Sequence, residues 1–204
     1  MGYDGDARIK TRADLKRFLD YERKLYICEK RGDRWYQYLT KDSQVRIWHY
    51  QKRLRRSEYW FNNRHRSPLH YLIFLIAYRM KNNAGVKLGI GISENSVDIG
   101  LRIFHEGCIE INGFAKIGKN FKMHGRNCIG NRGDADTATI APIIGDNVDF
   151  GVGASAVGGI TIADDVIVGA GAVVVRSCET PGATLVGVPA RPLEKNNQTH
   201  SVVR

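Results

Sequence analysis

The sequence feature that most limits the fold is a six-residue period that begins near Val97. An aliphatic residue opens each hexad, and a small or turn-forming residue usually follows it. Helices repeat at about 3.6 residues and strands at about 2, so this period fits neither as an isolated element. It predicts a three-sided parallel β-helix of three hexads per coil, with the aliphatic side chains stacked inside. The hexads begin at Ile111, Ile117, Met123, Ile129, Ile144, Phe150, Ala156, Ile162 and Val168.

The period is interrupted at two places. The first interruption is an enlarged turn before Ile111, and it contains His105 and Glu106. The second lies before Ile144, where residues 131–142 are expected to leave the coil as an extended loop. Because polar insertions on a rigid scaffold often carry function, these two segments are the first places to look for a site.

The front of the chain differs from the rest in charge. Residues 1–85 hold 20 Lys and Arg against 9 Asp and Glu, whereas residues 86–204 hold 11 against 12. Apolar residues at helical spacing predict α-helices in this basic region. The surface could bind nucleic acid, an anionic membrane or an acidic acceptor, or it could be a solvated helical face. The predicted domains are the α-helical region at 1–85, the β-helix at 86–193 and a C-terminal tail at 194–204.

The most apolar stretch of the basic region is residues 68–78, PLHYLIFLIAY. It is shorter than the roughly 20 residues that a membrane-spanning helix needs. We interpret it as a buried helix that begins with Pro68 in its first turn and packs on the β-helix or on a neighbouring subunit. Peripheral contact with a membrane stays open as an alternative.

Cysteine usage and motifs narrow the class of protein further. The spacing of the four cysteines fits neither a metal clip nor a compact disulfide framework, and the first 20 residues lack the apolar run of a signal peptide. We therefore expect a cytoplasmic protein. Aromatic and basic residues alternate in the front half without a known RNA- or DNA-binding motif, so nucleic acid is not an expected partner. No metal is predicted, because no arrangement of three histidines is evident.

Three segments carry a resemblance to a known family. They are GLRIFHEG at 100–107, the hexads with their loop, and the ending AGAVV…PGATLVGVPARPL at 170–193. Together they resemble the hexapeptide-repeat acyltransferases, specifically the serine acetyltransferase-like branch associated with surface-polysaccharide genes. The resemblance covers most of the chain. It implies left-handed winding, a homotrimer, and acetyl-CoA bound in the groove between neighbouring β-helices.

The implied reaction needs a base that removes a proton from an alcohol as the alcohol attacks a thioester. Neutral imidazole suits this task near pH 7. His105 matches the family's active-site histidine and is the predicted general base, and direct transfer requires no covalent acyl-enzyme. Asn95 is the predicted partner of His105, because related acyltransferases place Asp or Asn in that role. A purely structural corner role for Asn95 stays open.

Residues for the two substrates follow from the same resemblance. His124, one coil after His105, and Glu106 are the predicted acceptor-binding residues, although His124 could also be an exposed corner residue. Acetyl-CoA needs backbone amides for its thioester arm and cations for its phosphates. The predicted residues for acetyl-CoA are Asn131, Arg132, Val152, Gly153, Ala170, Arg176 and Arg191.

The identity of the acceptor depends on departures from the family pattern. True serine acetyltransferases carry an Asp before the active-site His and an Arg-His pair at the end of the loop. Phe104 and Ile140-Ala141 stand at these positions, and a zwitterion without charged partners binds poorly. The sequence therefore favours a sugar hydroxyl in surface or capsular polysaccharide biosynthesis, on a nucleotide sugar or a lipid-linked oligosaccharide. The alternatives are a serine O-acetyltransferase of cysteine biosynthesis and a non-catalytic β-helix scaffold or nucleic-acid-binding module.

Overall fold

The computed structural model describes residues 9–193, so the tail predicted at 194–204 lies outside the described residues. Within this range a helical region precedes a region of short strands. The helices are α1 (Arg12–Tyr26), α2 (Arg31–Leu39), α3 (Ser43–Asn63) and α4 (Pro68–Leu88).

Local sequence sets the ends of the helices. Thr11 caps α1 with a capping box, in which its hydroxyl accepts from the Asp14 N–H and the Asp14 carboxylate accepts from the Thr11 N–H. Ser67 caps α4. Gly89 ends α4 in the left-handed conformation, at a φ of 64°, where a side chain would be strained. The helical region thus continues to Leu88, slightly past the predicted boundary at 85.

The strands form three parallel sheets, the faces of a prism. The strands are β1 (Ile90–Ile92), β2 (Arg102–Ile103), β3 (Ile109–Ile111), β4 (Lys116–Ile117), β5 (Lys122–Met123), β6 (Cys128–Gly130), β7 (Ile143–Ile144), β8 (Asp149–Phe150), β9 (Ser155–Val157), β10 (Thr161–Ile162), β11 (Ile167–Val168), β12 (Val173–Val174), β13 (Thr184–Val186) and β14 (Arg191–Pro192). Face A has the order β1-β3-β6-β9-β12, face B has β10-β7-β4, and face C has β14-β13-β11-β8-β5-β2, in which only the β13–β14 pair is antiparallel. The loop between β6 and β7 contains a short 3-10 helix, Ala135–Thr137.

Strand register confirms the predicted coil of three hexads. Ile144 pairs with Ile162, and Phe150 pairs with Val168, so equivalent residues in regular coils are 18 positions apart. All nine residues that open the predicted hexads are at most 2% exposed. The parallel β-helix therefore follows from burying one aliphatic side chain per hexad inside the prism.

The helical region is attached to the first coil by a buried ion cluster. Arg55 of α3 is fully buried and donates to the carboxylates of Glu22, on α1, and Glu58. It also donates to the backbone carbonyls of Val97 and Asp98 in the first coil. The Arg55 guanidinium therefore connects two helices to the β-helix. A guanidinium can do so because its five N–H donors are fixed in one plane and point towards several acceptors at once.

One corner of the prism carries a ladder of amide side chains. Asn120, Asn147 and Asp165 occupy equivalent corners, each with a φ between 56° and 59°. The Asn120 amide donates to Asn147, and the Asn147 amide donates to Asp165, at 2.9 and 3.0 Å. Asn and Asp tolerate this backbone conformation better than other residues with a side chain, which explains their presence here.

Replacing Asn147 with alanine is expected to lower the free energy of unfolding by about 1–2 kcal/mol, from backbone strain and two lost hydrogen bonds. Urea unfolding followed by circular dichroism measures the change. The control is Asn82→Ala, at an exposed position of α4, where alanine favours the helix. Equal effects of the two substitutions would contradict the ladder's contribution.

Within one chain the helix at 68–78 is mostly exposed, which corrects the expectation that it is buried against the β-helix; its packing on a neighbouring subunit stays a prediction. α4 packs along α3, and Lys81 and Gly85 are its buried residues. Its opposite side exposes aliphatic side chains, including Leu72 and Ile76 at 54% and 52%. Within residues 9–193, no helix combines the length and the apolar character needed to cross a membrane.

Candidate active site

Face C ends at the corner of the prism that leads into face A. Because the strands of face C are in register, the residues that follow them line up along this edge. The residues two positions beyond its paired strand ends are His105, Gly125, Val152 and Ala170. Neighbouring coils are about 4.8 Å apart, so Val152 and Ala170 lie roughly 10 and 14 Å from His105 along the edge. Gly153 lies on the same edge, because its N–H donates to the Gly125 carbonyl at 2.9 Å. The structure thus aligns the predicted base and three predicted acetyl-CoA residues along one edge of the prism.

His105 is exposed at the end of this edge. Its side chain forms no hydrogen bond or ion pair with any residue in the described range, 9–193, so neither ring nitrogen has a partner there. Gly125 lies directly beside it: a Cβ on Gly125 would be 3.3 Å from the His105 Cβ, and Gly125 has a φ of 110°. A glycine here leaves room for the imidazole.

The turn that holds His105 is braced by the beginning of α3. The Gln44 amide donates to the Phe104 carbonyl at 2.6 Å. Arg46 forms an ion pair with Glu106 at 2.7 Å. The predicted acceptor-binding residue Glu106 therefore already has a cationic partner, and the two contacts together orient the backbone on both sides of His105.

Asn95 is not the partner of His105, which corrects the sequence interpretation. Asn95 and Asn62 exchange two side-chain hydrogen bonds of 2.8 and 3.0 Å. Asn62 lies near the end of α3, whereas Gln44, which braces the turn of His105, lies near its beginning. These two ends are about 27 Å apart at 1.5 Å per residue. Asn95 fills the structural corner role that the sequence left open, because residues close in sequence within one coil can lie on different edges.

His124 has the polar partner that His105 lacks among the described residues. Its Nε2 lies 3.0 Å from an Asp149 carboxylate oxygen, and its ring stacks on Phe104 with centroids 4.3 Å apart. The side chain is 34% exposed, so part of the ring remains accessible. Lys122 Nζ lies 3.8 Å from the same carboxylate. This group can hold an imidazole in a fixed orientation beside the edge that bears His105.

Asp149 was not among the residues predicted from the sequence. It lies opposite Lys122 in the register of face C, but 27 positions later in the chain, because the loop between β6 and β7 lengthens that coil. Asp149 directly precedes the buried Phe150, so the alternation of side chains along a strand predicts that Asp149 points outward. The sequence does not give the number of loop residues that leave the coil, and without that number Asp149 cannot be placed opposite Lys122.

Asn131 and Arg132 lie across face A from the edge of His105. The Asn131 amide donates to the Ala138 carbonyl at 2.6 Å and accepts from the Gly133 N–H at 3.2 Å, so it holds the base of the loop. The Arg132 side chain covers Gly158, where a Cβ would be 2.9 Å from Arg132 Nε. Within one chain, these two residues are not aligned with His105.

The two arginines predicted to bind the phosphates of acetyl-CoA lie near the C-terminal end of the prism, beyond β12. Arg176 and Arg191 are both exposed. Arg191 is in β14, where it pairs with Val186. Exposed guanidinium groups can bind phosphate oxygens in pairs.

The thiol nearest the centre of face A is poorly suited to nucleophilic attack. Cys128 pairs in register with Glu110. Burial raises the pKa of the Cys128 thiol, and the neighbouring Glu110 carboxylate raises it further. Since the thiolate is the reactive form, Cys128 is mostly unreactive near neutral pH.

Residues 9–193 contain no group of three or more side chains that could hold a metal ion.

Comparison with known proteins identifies the fold. The chain is similar to the soybean serine acetyltransferase apoenzyme, with 23% identity, a TM-score of 0.69, and coverage of 88% of this chain and 69% of that one. It matches serine acetyltransferase from Neisseria gonorrhoeae at 25% identity and a TM-score of 0.65, covering 89% and 68%. It also matches a serine acetyltransferase in complex with CoA, at 17% identity and a TM-score of 0.69, covering 89% and 71%. This chain has the serine acetyltransferase fold.

The likeness includes the helical region as well as the prism, because each match covers almost nine-tenths of the chain. About 30% of each of those longer chains has no counterpart here. No protein-family model and no curated protein matches the sequence.

Proposed function

We propose that this protein is an acetyl-CoA-dependent O-acetyltransferase with His105 as its general base. The observation that carries the proposal is the edge on which an exposed imidazole is aligned with Val152, Gly153 and Ala170. One structure with the same fold was solved with CoA. His105 takes the proton from the acceptor hydroxyl as the oxygen attacks the thioester carbonyl, and then returns it to the departing CoA sulfur.

We further infer left-handed winding and a homotrimer, as the family resemblance implies. Exposed aliphatic side chains on the prism, such as Ile143, Val152 and Ile167 at 45–50%, support contact between prisms. The loop that begins at Asn131 would then reach the edge of a neighbouring prism. Light scattering is expected to give three times the chain mass of 22.9 kDa. A monomer at working concentration would contradict the assembly.

Serine is the first candidate acceptor. The sequence favours a sugar over serine, but the three solved structures named above are serine acetyltransferases. This comparison favours the alternative, a serine O-acetyltransferase. A serine carboxylate and ammonium would need partners in a neighbouring subunit or in the loop, because Phe104 and Ile140-Ala141 carry no charge.

A sugar hydroxyl in surface or capsular polysaccharide biosynthesis is the second candidate acceptor. It is favoured by the uncharged residues at these positions, and by the aromatic and polar group that Phe104, His124 and Asp149 form. Sugars need hydrogen bonds and an apolar ring face rather than charged partners. This acceptor could be attached to a nucleotide or a lipid.

An acceptor screen decides between these functions. Acetyl-CoA is incubated with L-serine or with a panel of nucleotide sugars, and release of the free CoA thiol is followed. Turnover with serine alone assigns the first candidate, and turnover with a sugar alone assigns the second. If no acceptor raises thiol release above spontaneous hydrolysis, the enzymatic proposal fails and the scaffold alternative is preferred.

His124→Ala is expected to raise the KM for the acceptor about tenfold, the equivalent of one hydrogen bond worth roughly 1.4 kcal/mol, with a smaller change in kcat. Steady-state kinetics with the acceptor found in the screen provide the measurement. Asp149→Asn, which keeps the size of the partner, is expected to have an intermediate effect. An unchanged KM in both variants would assign His124 a structural corner role.

We also propose the cytoplasm as the location of the protein. All four cysteines are free, and Cys28 and Cys108 are exposed. Exposed unpaired thiols are typical of reducing compartments.

A further inference from the structure

A groove between α3 and α4 concentrates positive charge. It has a volume of about 420 Å³, and α3 lines it with Lys52, Arg53 and Arg56. α4 lines it with apolar side chains that include Ile76 and Met80. None of the side chains from residues 9–193 that line the groove is acidic. The groove thus combines a cationic wall with an apolar wall.

A second hollow of about 520 Å³ extends this groove, because the two share His49, Arg53 and Met80. The extension adds Arg46 and Lys87 and has no acidic lining residue within the described range. We call the combined feature the α3–α4 groove. Arg46 at its end forms the ion pair with Glu106, so the groove reaches the turn that holds His105.

The cations of the groove repel one another. Burial lowers the pKa of Lys52, and neighbouring cations, Arg56 first, lower it further. Burial also lowers the pKa of His49, and Lys52 and Arg53 add to that effect. No ion pair to Lys52, Arg53 or Arg56 is formed by the described residues. An anion in the groove would relieve this repulsion.

The outer side of α4 adds an apolar surface beside the groove. Leu69, Leu72, Ile76 and Met80 follow one another at helical spacing and are 52–63% exposed. Ile76 and Met80 belong both to this row and to the lining of the groove. A solvated helix face is ordinarily polar, so an exposed apolar row of this kind indicates a partner.

We propose that the α3–α4 groove and the outer face of α4 dock the protein on the surface of an anionic phospholipid membrane. Lipid phosphates would lie against Lys52, Arg53 and Arg56, and the aliphatic row would enter the boundary between head groups and acyl chains. This combination of basic residues with an adjacent apolar helix face is what such a surface requires.

Charge disfavours a two-fold contact between copies of the chain through this face. A two-fold contact through this face would bring two sets of unpaired cations together, because such an interface uses the same surface on both copies. Like charges across an interface oppose association. A free phosphate, in turn, would leave the aliphatic row exposed. An anionic lipid satisfies both parts of the surface.

Vesicle flotation with the full chain tests the proposal. Vesicles of phosphatidylcholine alone are compared with vesicles that contain 30% phosphatidylglycerol. We expect at least tenfold stronger binding to the anionic vesicles, with a decrease as salt is raised. The variant Arg53→Glu/Arg56→Glu is expected to lose at least tenfold in affinity. The matched control, Arg12→Glu/Lys16→Glu on α1, reverses two exposed charges outside the groove and is expected to retain most of the binding.

A second pair of measurements separates the apolar contribution from simple charge attraction. Leu72→Ser/Ile76→Ser keeps every charge and is also expected to weaken vesicle binding about tenfold. Circular dichroism establishes that each variant is folded. Acetyl transfer to a soluble acceptor is expected to be unchanged in all of them, so a failure of membrane docking is distinguishable from a failure of the proposed enzymatic function.

Several results would overturn the proposal. One such result is that the wild-type protein binds anionic vesicles no more strongly than vesicles of phosphatidylcholine alone. Another is that the control variant Arg12→Glu/Lys16→Glu loses as much affinity as Arg53→Glu/Arg56→Glu. Release from vesicles by millimolar inorganic pyrophosphate, with Leu72→Ser/Ile76→Ser binding normally, would indicate a soluble-anion site instead. A smaller solution mass of that serine variant would indicate an interface between copies.

Discussion

Replacing His105 with alanine is expected to lower kcat for acetyl transfer by about 10²–10⁴-fold, the contribution of a general base. The exposed side chain makes no hydrogen bond or ion pair among residues 9–193, so its removal is expected to change the free energy of unfolding very little. Thiol release from acetyl-CoA with the acceptor identified in the screen measures the rate. A thermal melt compares the stabilities of the variant and the wild type.

The control for His105 is His65→Ala, an exposed histidine just after α3. It is expected to retain wild-type kcat. Comparison with His124→Ala then assigns the roles of the two imidazoles near the edge. If His124→Ala abolishes turnover while His105→Ala retains it, the base is the histidine held by Asp149, and the proposed assignment is wrong.

The second large effect is expected from Arg55→Met, which removes the cation from the buried cluster. Glu22 and Glu58 are 0% and 2% exposed, so both carboxylates would be left in the interior without their counter-ion. Breaking a buried ion pair from one side destabilises a protein by about 3–5 kcal/mol. Urea unfolding of the variant and the wild type measures the difference in free energy.

The size of this loss is expected to depend on pH. In the wild type, burial already raises the pKa of Glu58 above its ordinary value, although Arg55 opposes the shift. A carboxyl group with a raised pKa in the folded state favours folding most at low pH, and this advantage disappears as pH rises through the folded-state pKa. Arg55→Met raises that pKa further. The stability difference is therefore expected to be smaller at pH 5 than at pH 8.

Arg12→Met is the matched control for Arg55→Met. Arg12 is exposed at the beginning of α1, and an exposed substitution of this kind is expected to change the free energy of unfolding by no more than about 0.5 kcal/mol at either pH. A loss for Arg55→Met that stays constant from pH 5 to pH 8 would contradict the account of uncompensated carboxylates.

The hexad pattern was sufficient to predict the prism because its signal is local and repeated. Each buried aliphatic residue has the same position relative to a corner, so nine of them reinforce a single interpretation. Pro68, expected in the first turn of its helix, was equally informative about where α4 begins. Such features depend on neighbours within a few residues.

Contacts between distant parts of the chain were less accessible. Asn95 was assigned to His105 because the two are close in sequence, but its partner is Asn62 on α3. Asp149 was missed because the loop between β6 and β7 changes the distance along the chain between neighbouring coils. Which side of α4 stays exposed was also not predicted, since its sequence is apolar on more than one side.

The sequence by itself determined the type of fold, the positions of its two interruptions and the histidine that matches the family pattern. These depend on periodicity and short motifs, which remain the same wherever the helices pack. Only the tertiary structure decided which groups surround His105 and which surfaces stay exposed. Hydrogen bonds and ion pairs form between whichever atoms packing brings together, and the packing of α3 and α4 on the prism cannot be inferred from a period of six.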